Sequence, residues 1–257
     1  MKVLFGLIVI TAGFAISLEH LDQNLGQFWD VIAFAMVVFG TISVGITTLP
    51  SLRKRHILKI ILRGTLNNSN LREKTINNSL TLIKGGKPQN VKYRIEDKVL
   101  NDGVELLQLG FNSEKIQFLL TERIEKYVDD NLSVSSWIRG LAKYPPAFGL
   151  AGTVLGLIHL MQGLSEGADP KETGIRMAVA LIATFYGIVV ANIFLNPLGD
   201  RIVNNIKEDQ NLAEISLNTI LMISEQNSHL ELLESLNNYM PSQTKKLDVG
   251  NILAEAA

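Results

Sequence analysis

The sequence predicts an all-α membrane protein with four transmembrane helices, a helical cytoplasmic domain between the second and third of them, and a long C-terminal cytoplasmic helix. Two observations lead to this fold class. The 257 residues have a mean hydropathy of +0.20, which is unusually high for a soluble domain. The apolar residues are also concentrated in four blocks, and three of these are long enough as helices to cross a hydrocarbon core of roughly 30 Å.

The four apolar blocks are the predicted membrane spans. The first block is short and follows a lysine, so a cleaved signal peptide is an alternative interpretation of it. The second block would then be the first true span, and the orientation of the rest would not change. The predicted spans are about 3–18, 29–49, 144–164 and 176–197, within the membrane segments 1–50 and 140–198.

The charges between the blocks predict that both termini face the cytoplasm. Lysine and arginine residues follow the second block, precede the third and follow the fourth, whereas the other two links are mostly acidic. Basic residues are retained on the cytoplasmic side of membrane proteins. We therefore expect residues 51–139 and 199–257 to be cytoplasmic.

The cytoplasmic segments are predicted to be helical because apolar residues recur in them at helical spacing. A break is expected at the sequence KGGKP, residues 84–88. The residues after Met240-Pro241 are expected to be loosely ordered. The predicted helices are 53–66, 71–83, 91–109, 112–128 and 201–238.

Composition excludes several classes of function. The chain has no cysteine, which excludes disulfides, thiolate catalysis and cysteine-ligated metals. It has only four histidines, which does not favour a transition-metal site. The net charge of −1 does not favour nucleic acid as a partner. The sequence contains no Walker A, HExxH, GxSxG or strand-linked GxGxxG motif. We therefore expect neither an enzyme nor a cofactor.

Within the third and fourth spans, residues 144–164 and 177–195 contain small and hydroxyl residues but no charged ones. Gly149, Gly152 and Gly156 suit close packing of another helix better than a phosphate site, because no lysine follows them. An ion passing at this depth would need a charge supplied by another chain. Thr153 and Thr184 either bond to their own helices or offer oxygen ligands to a cation.

Two proline sites border these spans. Pro145 and Pro146 enter the third span, and Pro197 closes the fourth. Each proline removes a helical hydrogen bond and frees a carbonyl group. Helix punctuation and a functional hinge are both compatible with these positions.

Three motifs identify a resemblance to a known family. Residues 144–157 (YPPAFGLAGTVLGL), 177–187 (MAVALIATFYG) and 192–198 (NIFLNPL) resemble the flagellar motor stator A subunit, the MotA/PomA family of the MotA/TolQ/ExbB proton channel superfamily. Residues 28–41 look like the second span of that family, and residues 103–107 look like the end of its cytoplasmic helix. The resemblance therefore covers most of the chain.

The resemblance implies an ion-conducting stator that converts ion-motive force into torque on a rotor. Its members are multi-pass proteins of the bacterial inner membrane, and five copies surround two helices of a B subunit. That subunit has one transmembrane helix with an Asp and a peptidoglycan-binding domain. Pro146 and Pro197 match the two prolines that couple ion binding to movement. Thr153 and Thr184 match the sodium-type site, so Na⁺ is the expected transported ion and H⁺ the alternative.

The predicted rotor contacts depart from the family pattern. Lys84 matches a basic position, but Ile83, Val91 and Lys92 replace the charges expected nearby. Either the rotor is not flagellar or other charges contact it. An ExbB/TolQ-like energy transducer and a non-conducting membrane scaffold are the alternative functions. The candidate rotor-contact residues are Lys84, Lys87, Arg94, Glu96 and Asp97.

Overall fold

The computed structural model describes residues 30–52, 54–65, 71–83, 94–167 and 169–239, together with Gly13. The predicted first span and the predicted C-terminal tail lie outside these residues. Regular structure in the described part of the chain is helical throughout, which confirms the all-α prediction. In chain order the helices are α1 (Val31–Thr47), α2 (Lys54–Thr65), α3 (Leu71–Ile83), α4 (Ile95–Gln108), α5 (Ser113–Leu141), α6 (Tyr144–Ser165), α7 (Pro170–Val189), a π-helical segment (Val190–Leu195), α8 (Asn196–Ser224) and α9 (His229–Asn238).

The chain divides into two compact units. Unit 1 consists of Met1–Thr65 and Ser133–Ile202, and unit 2 consists of Leu66–Leu132 and Val203–Ala257. Two helical stretches, Ser113–Ser165 and Ala180–Ser224, contain windows that are apolar and long enough to cross a membrane. Helix α1 is a shorter apolar helix of 17 residues. By length and composition, therefore, the described residues contain two clear apolar spans.

Unit 1 is built around the packing of α1, α6 and α7. Helix α1 is capped at its N-terminus by Asp30, whose carboxylate accepts a hydrogen bond of 2.6 Å from the Ala33 backbone N–H. Ala33 packs with Ile182 and Ala183 of α7 in a small buried cluster. Two of these three residues are alanines, and small side chains of this kind suit close packing of helices.

Unit 2 has a larger apolar core formed by α4, α5 and α8. Gly103 of α4 allows the closest approach, since an added Cβ there would lie 2.6 Å from Cγ1 of Ile220. The apolar residues recur at three- and four-residue spacing, as expected for one buried face of each helix. The buried members of this core are Ile95, Val99, Leu100, Leu106, Ile116, Leu120, Ile124, Ala213, Leu217 and Ile220.

Helix α5 is longer than predicted. The sequence prediction ended it at residue 128, where the apolar spacing it relied on is followed by polar residues at 129–131. The structure continues the helix to Leu141, and Val134, Ile138 and Leu141 extend its buried apolar stripe. The spacing of these three residues outweighs the polar residues at 129–131, which occupy the helix without breaking it.

The prediction for the chain after the fourth span is also wrong in two places. Pro197 does not end a helix, because the π-helical segment and α8 continue through it to Ser224. The predicted single helix 201–238 is interrupted at Gln226, which has a φ of 56°. A capping box then starts α9, with the Ser228 and Glu231 side chains each accepting the other residue's backbone N–H.

Candidate functional site

The contact between α6 and α7 is lined by glycines, which bring the two backbones together. A Cβ added at Gly149 would lie 2.7 Å from the Ala183 carbonyl oxygen, and one at Gly152 would lie 2.7 Å from the Ala183 Cβ. A Cβ added at Gly156 would lie 2.5 Å from the Ala180 Cβ. The structure thus places all three glycines of the predicted packing site against α7 of the same chain. We call this contact the glycine seam.

Two threonine hydroxyls meet across the glycine seam. Oγ1 of Thr153 lies 3.1 Å from the Gly149 carbonyl of its own helix and 3.2 Å from the Ala180 carbonyl of α7. Oγ1 of Thr184 lies 3.2 Å from the same Gly149 carbonyl and forms a close hydrogen bond with the Thr153 hydroxyl. The hydroxyls therefore join two helices and do not bond only within their own.

This arrangement places four oxygen atoms together in an apolar environment: two hydroxyl and two carbonyl. Hydroxyl and carbonyl oxygens are suitable ligands for a hard cation that has lost part of its hydration shell. The oxygens carry only partial charge, so they lower the cost of dehydration without neutralising the ion. A full negative charge would have to come from a carboxylate outside this pair of helices.

Gly149 positions both hydroxyls, because its carbonyl contacts both of them and its Cα faces Ala183. We expect Gly149→Ala to push α6 away from α7, because the added methyl meets a backbone oxygen that cannot rotate away. The destabilisation should be about 1–3 kcal/mol. It can be measured as a lower melting temperature of the purified protein in detergent.

Gly140 provides a matched control for that substitution. It is also helical, but nothing lies within 4 Å of a Cβ added there. Gly140→Ala should therefore be neutral or slightly stabilising, since alanine favours helix over glycine. Equal melting temperatures for the two variants would contradict the close backbone approach at Gly149.

The prolines of the third span lie at the junction of α5 and α6. Because Pro145 and Pro146 have no N–H, the carbonyls of Leu141 and Ala142, four residues earlier, lack their usual helical donors. Gly187 of α7 packs directly against this junction, since a Cβ added there would lie 2.5 Å from the Pro145 carbonyl oxygen. The helical break is therefore held against α7.

Pro197 lies just after the π-helical segment Val190–Leu195. The Asn196 N–H donates to the Ala191 carbonyl five residues earlier, which is the π-helical pattern. Pro197 cannot donate, so the backbone carbonyls before it lack one bond. The Asn196 side chain donates to Oδ1 of Asn192 at 3.2 Å, and the Asn192 side chain donates to the Ile188 carbonyl at 3.2 Å. The wide turn and the missing donor together mark a weakened position in a continuous helix.

Contacts with α5 hold the start of α8 beside Pro197. The Ser135 hydroxyl donates to the Gly199 carbonyl at 2.9 Å in a buried position. Nη2 of Arg139 lies 2.5 Å from Oδ1 of Asp200. Gly199 again permits close approach, since an added Cβ would lie 2.7 Å from Cγ of Arg139. A movement at Pro197 would therefore be transmitted to α5.

The structure corrects part of the predicted rotor-contact set. Lys84 and Lys87 lie outside the described residues, and Arg94 is half-buried at the start of α4. Glu96 and Asp97 are only 1% and 7% exposed, so their carboxylates are not presented to a docking protein. The sequence prediction proposed these two only as charges near the positions where the family pattern expects rotor contacts, and it had no signal for their burial.

Burial raises the pKa of both carboxyl groups. Removal from water raises the pKa of Glu96, and the charge of Asp209 adds to the rise, while a backbone hydrogen bond and Arg94 oppose it. Oε1 of Glu96 lies 3.4 Å from Nη1 of Arg94, and Oε2 has no hydrogen-bond partner. Burial also raises the pKa of Asp97, against the opposing hydrogen bond from Asn78.

Glu96 should therefore make the protein less stable as the pH rises. A carboxyl group whose pKa is raised by folding favours the folded state below its ordinary value, 4.5 for glutamate, and loses that contribution as the pH rises through the folded-state value. We expect Glu96→Gln to raise the melting temperature at about pH 7 and to have little effect at about pH 4.

An exposed glutamate provides the control for this prediction. Glu73 lies in the first turn of α3 and is exposed. Glu73→Gln removes the same charge without relieving a buried one, so we expect no increase in melting temperature at neutral pH. A lower melting temperature for Glu96→Gln than for the unmodified chain at about pH 7 would show that its ionised form is stabilised instead.

Sequence reasoning missed several residues of this site. Gly187 was visible as a small residue in an apolar span, and its position facing the proline pair could have been suggested by the small-residue packing rule. The Ser135 hydroxyl carries no comparable signal, because a serine in a polar helix is ordinarily solvated. The π-helical segment also has no local signature beyond the proline that follows it.

Comparison with known proteins identifies relatives of the chain. The model of the MotA/TolQ/ExbB proton channel family matches residues 91–215, a range that contains both threonines and both proline sites. The chemotaxis protein PomA of Vibrio alginolyticus is 24% identical over 242 residues, which cover 92% of this chain and 94% of that protein. Motility protein A of Borreliella burgdorferi is 28% identical over 212 residues, which cover 76% of this chain and 74% of that protein.

Solved structures share the fold. The structure of C. jejuni MotAB matches with a TM-score of 0.76 at 16% identity, covering 96% of this chain and 98% of that one. The flagellar MotAB stator complex from Bacillus subtilis matches with a TM-score of 0.78 at 19% identity, covering 95% of this chain and 97% of that one. Identities this low show a common fold.

Proposed function

We propose that the chain is a member of the MotA/TolQ/ExbB proton channel family, which is a family of channels and not of enzymes, and that it is the A subunit of a flagellar motor stator. In this role it conducts ions together with a partner and converts ion-motive force into torque on a rotor. Relatives that cover 92% and 76% of this chain carry the names of a chemotaxis and a motility protein, which supports this function.

The observation that carries the proposal is the oxygen cluster at the glycine seam. Four oxygens converge between two apolar helices, and residues 144–164 and 177–195 contain no Asp, Glu, Lys or Arg. This arrangement suits an ion that is bound jointly with a carboxylate of another chain. The proposed partner is a B subunit that has one transmembrane helix with an Asp and a peptidoglycan-binding domain.

The proposed transported ion is Na⁺, with H⁺ as the alternative. A proton binds to the partner's carboxylate alone, whereas Na⁺ needs several oxygen ligands to replace its water. The hydroxyls of Thr153 and Thr184 would supply two of these, with the carbonyls beside them. The two hydroxyls bond to each other and to carbonyls of the facing helix, and this supports a role as ion ligands over hydrogen bonding within one helix.

The proline sites are the proposed coupling elements. Pro146 interrupts the helix at the junction of α5 and α6, and Pro197 follows the π-helical segment before α8. Both sites leave backbone carbonyls without donors, so each helix has a second conformation at low cost. Ion occupancy at the seam would select between these conformations, and α5 and α8 would carry the movement away from the membrane.

The assembly is proposed to be a ring of five copies in the bacterial inner membrane, with both termini in the cytoplasm. Helix α6 supports contacts with other chains because one of its faces is apolar and exposed. Val154, Leu157, Ile158 and Met161 line a groove of about 480 Å³ on this face. Rotor contact is proposed for Lys84, Lys87 and Arg94.

A swimming assay in a strain that lacks this chain tests the function. We expect the strain to carry flagella but not to swim, and a plasmid copy of the chain to restore swimming. Normal swimming without the chain would contradict a stator role. Loss of an outer-membrane transport process with normal swimming would support the ExbB/TolQ-like alternative.

A further inference from the structure

Helix α2 carries an exposed apolar stripe that the proposed conduction pathway does not use. Leu58 and Leu62 are 57% and 54% exposed, while Ile57 and Ile60 on the other side of the helix are buried. The two leucines are four residues apart and therefore neighbours on one helix face. Helix α2 therefore has a second apolar surface, which is exposed to its surroundings in addition to the one that is buried.

Exposed basic residues border these leucines. Lys54 lies one turn before Leu58 on the same line of the helix, and Arg55 and Lys59 form the adjacent line. No Asp or Glu occurs between residues 49 and 72, so this segment of the sequence has basic residues and no acidic ones. We call Lys54, Arg55, Leu58, Lys59 and Leu62 the basic face of α2.

The chain places the basic face close to the end of an apolar helix. Helix α1 ends at Thr47, and the Thr48 hydroxyl accepts a 3.1 Å hydrogen bond from the Trp137 indole N–H. Half-buried tryptophans that donate a hydrogen bond are typical of the boundary between hydrocarbon and water. Helix α2 begins a few residues after this point, in the same unit.

We propose that the basic face of α2 binds anionic phospholipid headgroups at the membrane surface. The leucines enter the boundary of the acyl chains, and Lys54, Arg55 and Lys59 contact the phosphates. A helix with basic residues on both sides of an apolar stripe and without acidic residues matches the charge of an anionic lipid surface. The contact is electrostatic and apolar, not a fixed pocket, so it permits lateral movement of the protein.

A spin label at Leu58 tests this binding in the full-length chain. The sequence contains no cysteine, so Leu58→Cys provides a single labelling site. The labelled protein is reconstituted in phosphatidylcholine vesicles with and without phosphatidylglycerol. With phosphatidylglycerol, we expect lipid-soluble oxygen to relax the label more than a water-soluble nickel complex does. A label at Lys74, an exposed position in unit 2, is the control, and the nickel complex should relax it more than oxygen does in both kinds of vesicle.

Charge removal separates lipid recognition from apolar contact alone. Lys54→Gln with Arg55→Gln should abolish the effect of phosphatidylglycerol on the Leu58 label, whereas Lys74→Gln with Lys126→Gln should leave it intact. If the nickel complex relaxes the Leu58 label more than oxygen does in phosphatidylglycerol vesicles, the proposal is overturned. Shielding from both reagents would mean that protein, such as a second copy, covers the face. If oxygen and the nickel complex relax the Leu58 label in the same proportion in both kinds of vesicle, the anionic headgroup is not the ligand. None of these readings needs the partner subunit or an ion, so they stand apart from the proposed stator function.

Discussion

Pro197→Leu is expected to abolish swimming while the protein still accumulates in the membrane. Leucine supplies a backbone N–H where proline has none, so the carbonyls of the π-helical segment gain a donor. A proline inside a helix costs about 3 kcal/mol, and its removal biases the segment toward an uninterrupted helix by an amount of that order. A bias of this size, more than a hundredfold in population, would leave one conformation and prevent cycling. Swimming speed and membrane abundance are the two measurements.

Pro170 is the matched control for this prediction. It lies in the first turn of α7, where a backbone N–H has no helical acceptor in any case. Cells that carry Pro170→Leu should therefore swim normally. Pro146→Leu should also impair swimming, but less than Pro197→Leu does, because Pro145 still interrupts the junction of α5 and α6. Normal swimming by Pro197→Leu at normal abundance would remove Pro197 from the coupling mechanism.

Thr153→Ala should raise the sodium concentration that motility requires. The substitution removes one of the four oxygens at the glycine seam, and a hydrogen-bonding or ligand group of this kind is worth about 1–1.5 kcal/mol. The sodium concentration for half-maximal speed is then expected to rise by roughly tenfold. The measurement is swimming speed across a sodium series at fixed pH.

Two threonine variants distinguish a ligand from a helix-bound hydroxyl. Thr153→Ser keeps the oxygen and should restore most of the sodium response. Thr41→Ala removes a hydroxyl whose hydrogen bond goes to the Val37 carbonyl within its own helix, at 2.6 Å, and it should not change the response. Speed independent of sodium in the unmodified chain would make the motor proton-driven. A response unchanged by Thr153→Ala would remove that hydroxyl as a ligand.

Much of the fold could be predicted because the helix boundaries have local signals. Helix α3 begins after a polar Asn and Ser stretch and ends before Gly85-Gly86, and its observed bounds, Leu71–Ile83, equal the predicted ones. Helix α5 and the passage through Pro197 were misjudged for the opposite reason. There, tertiary packing of an apolar stripe outweighs the local polar residues or the proline, and a local pattern does not report packing.

The residue types of the site could also be predicted, but not their arrangement. Thr153 and Thr184 stand out in charge-free spans, yet their meeting depends on the helix register that Gly149 and Gly156 set against Ala183 and Ala180. The burial of Glu96 was not predictable either. It depends on the packing of α8 against α4, two helices about a hundred positions apart in the sequence. The same packing brings the charge of Asp209 near enough to raise the pKa of Glu96.

Ion flux in vesicles that contain this chain with or without its partner tests the central claim most directly. The glycine seam offers oxygens but no carboxylate, so we predict no flux through this chain alone and sodium-dependent flux when the B subunit is present. Replacing the membrane Asp of that partner by Asn should abolish the flux. Conduction by this chain alone, or undiminished conduction with the Asn variant, would contradict a pathway shared between the two chains.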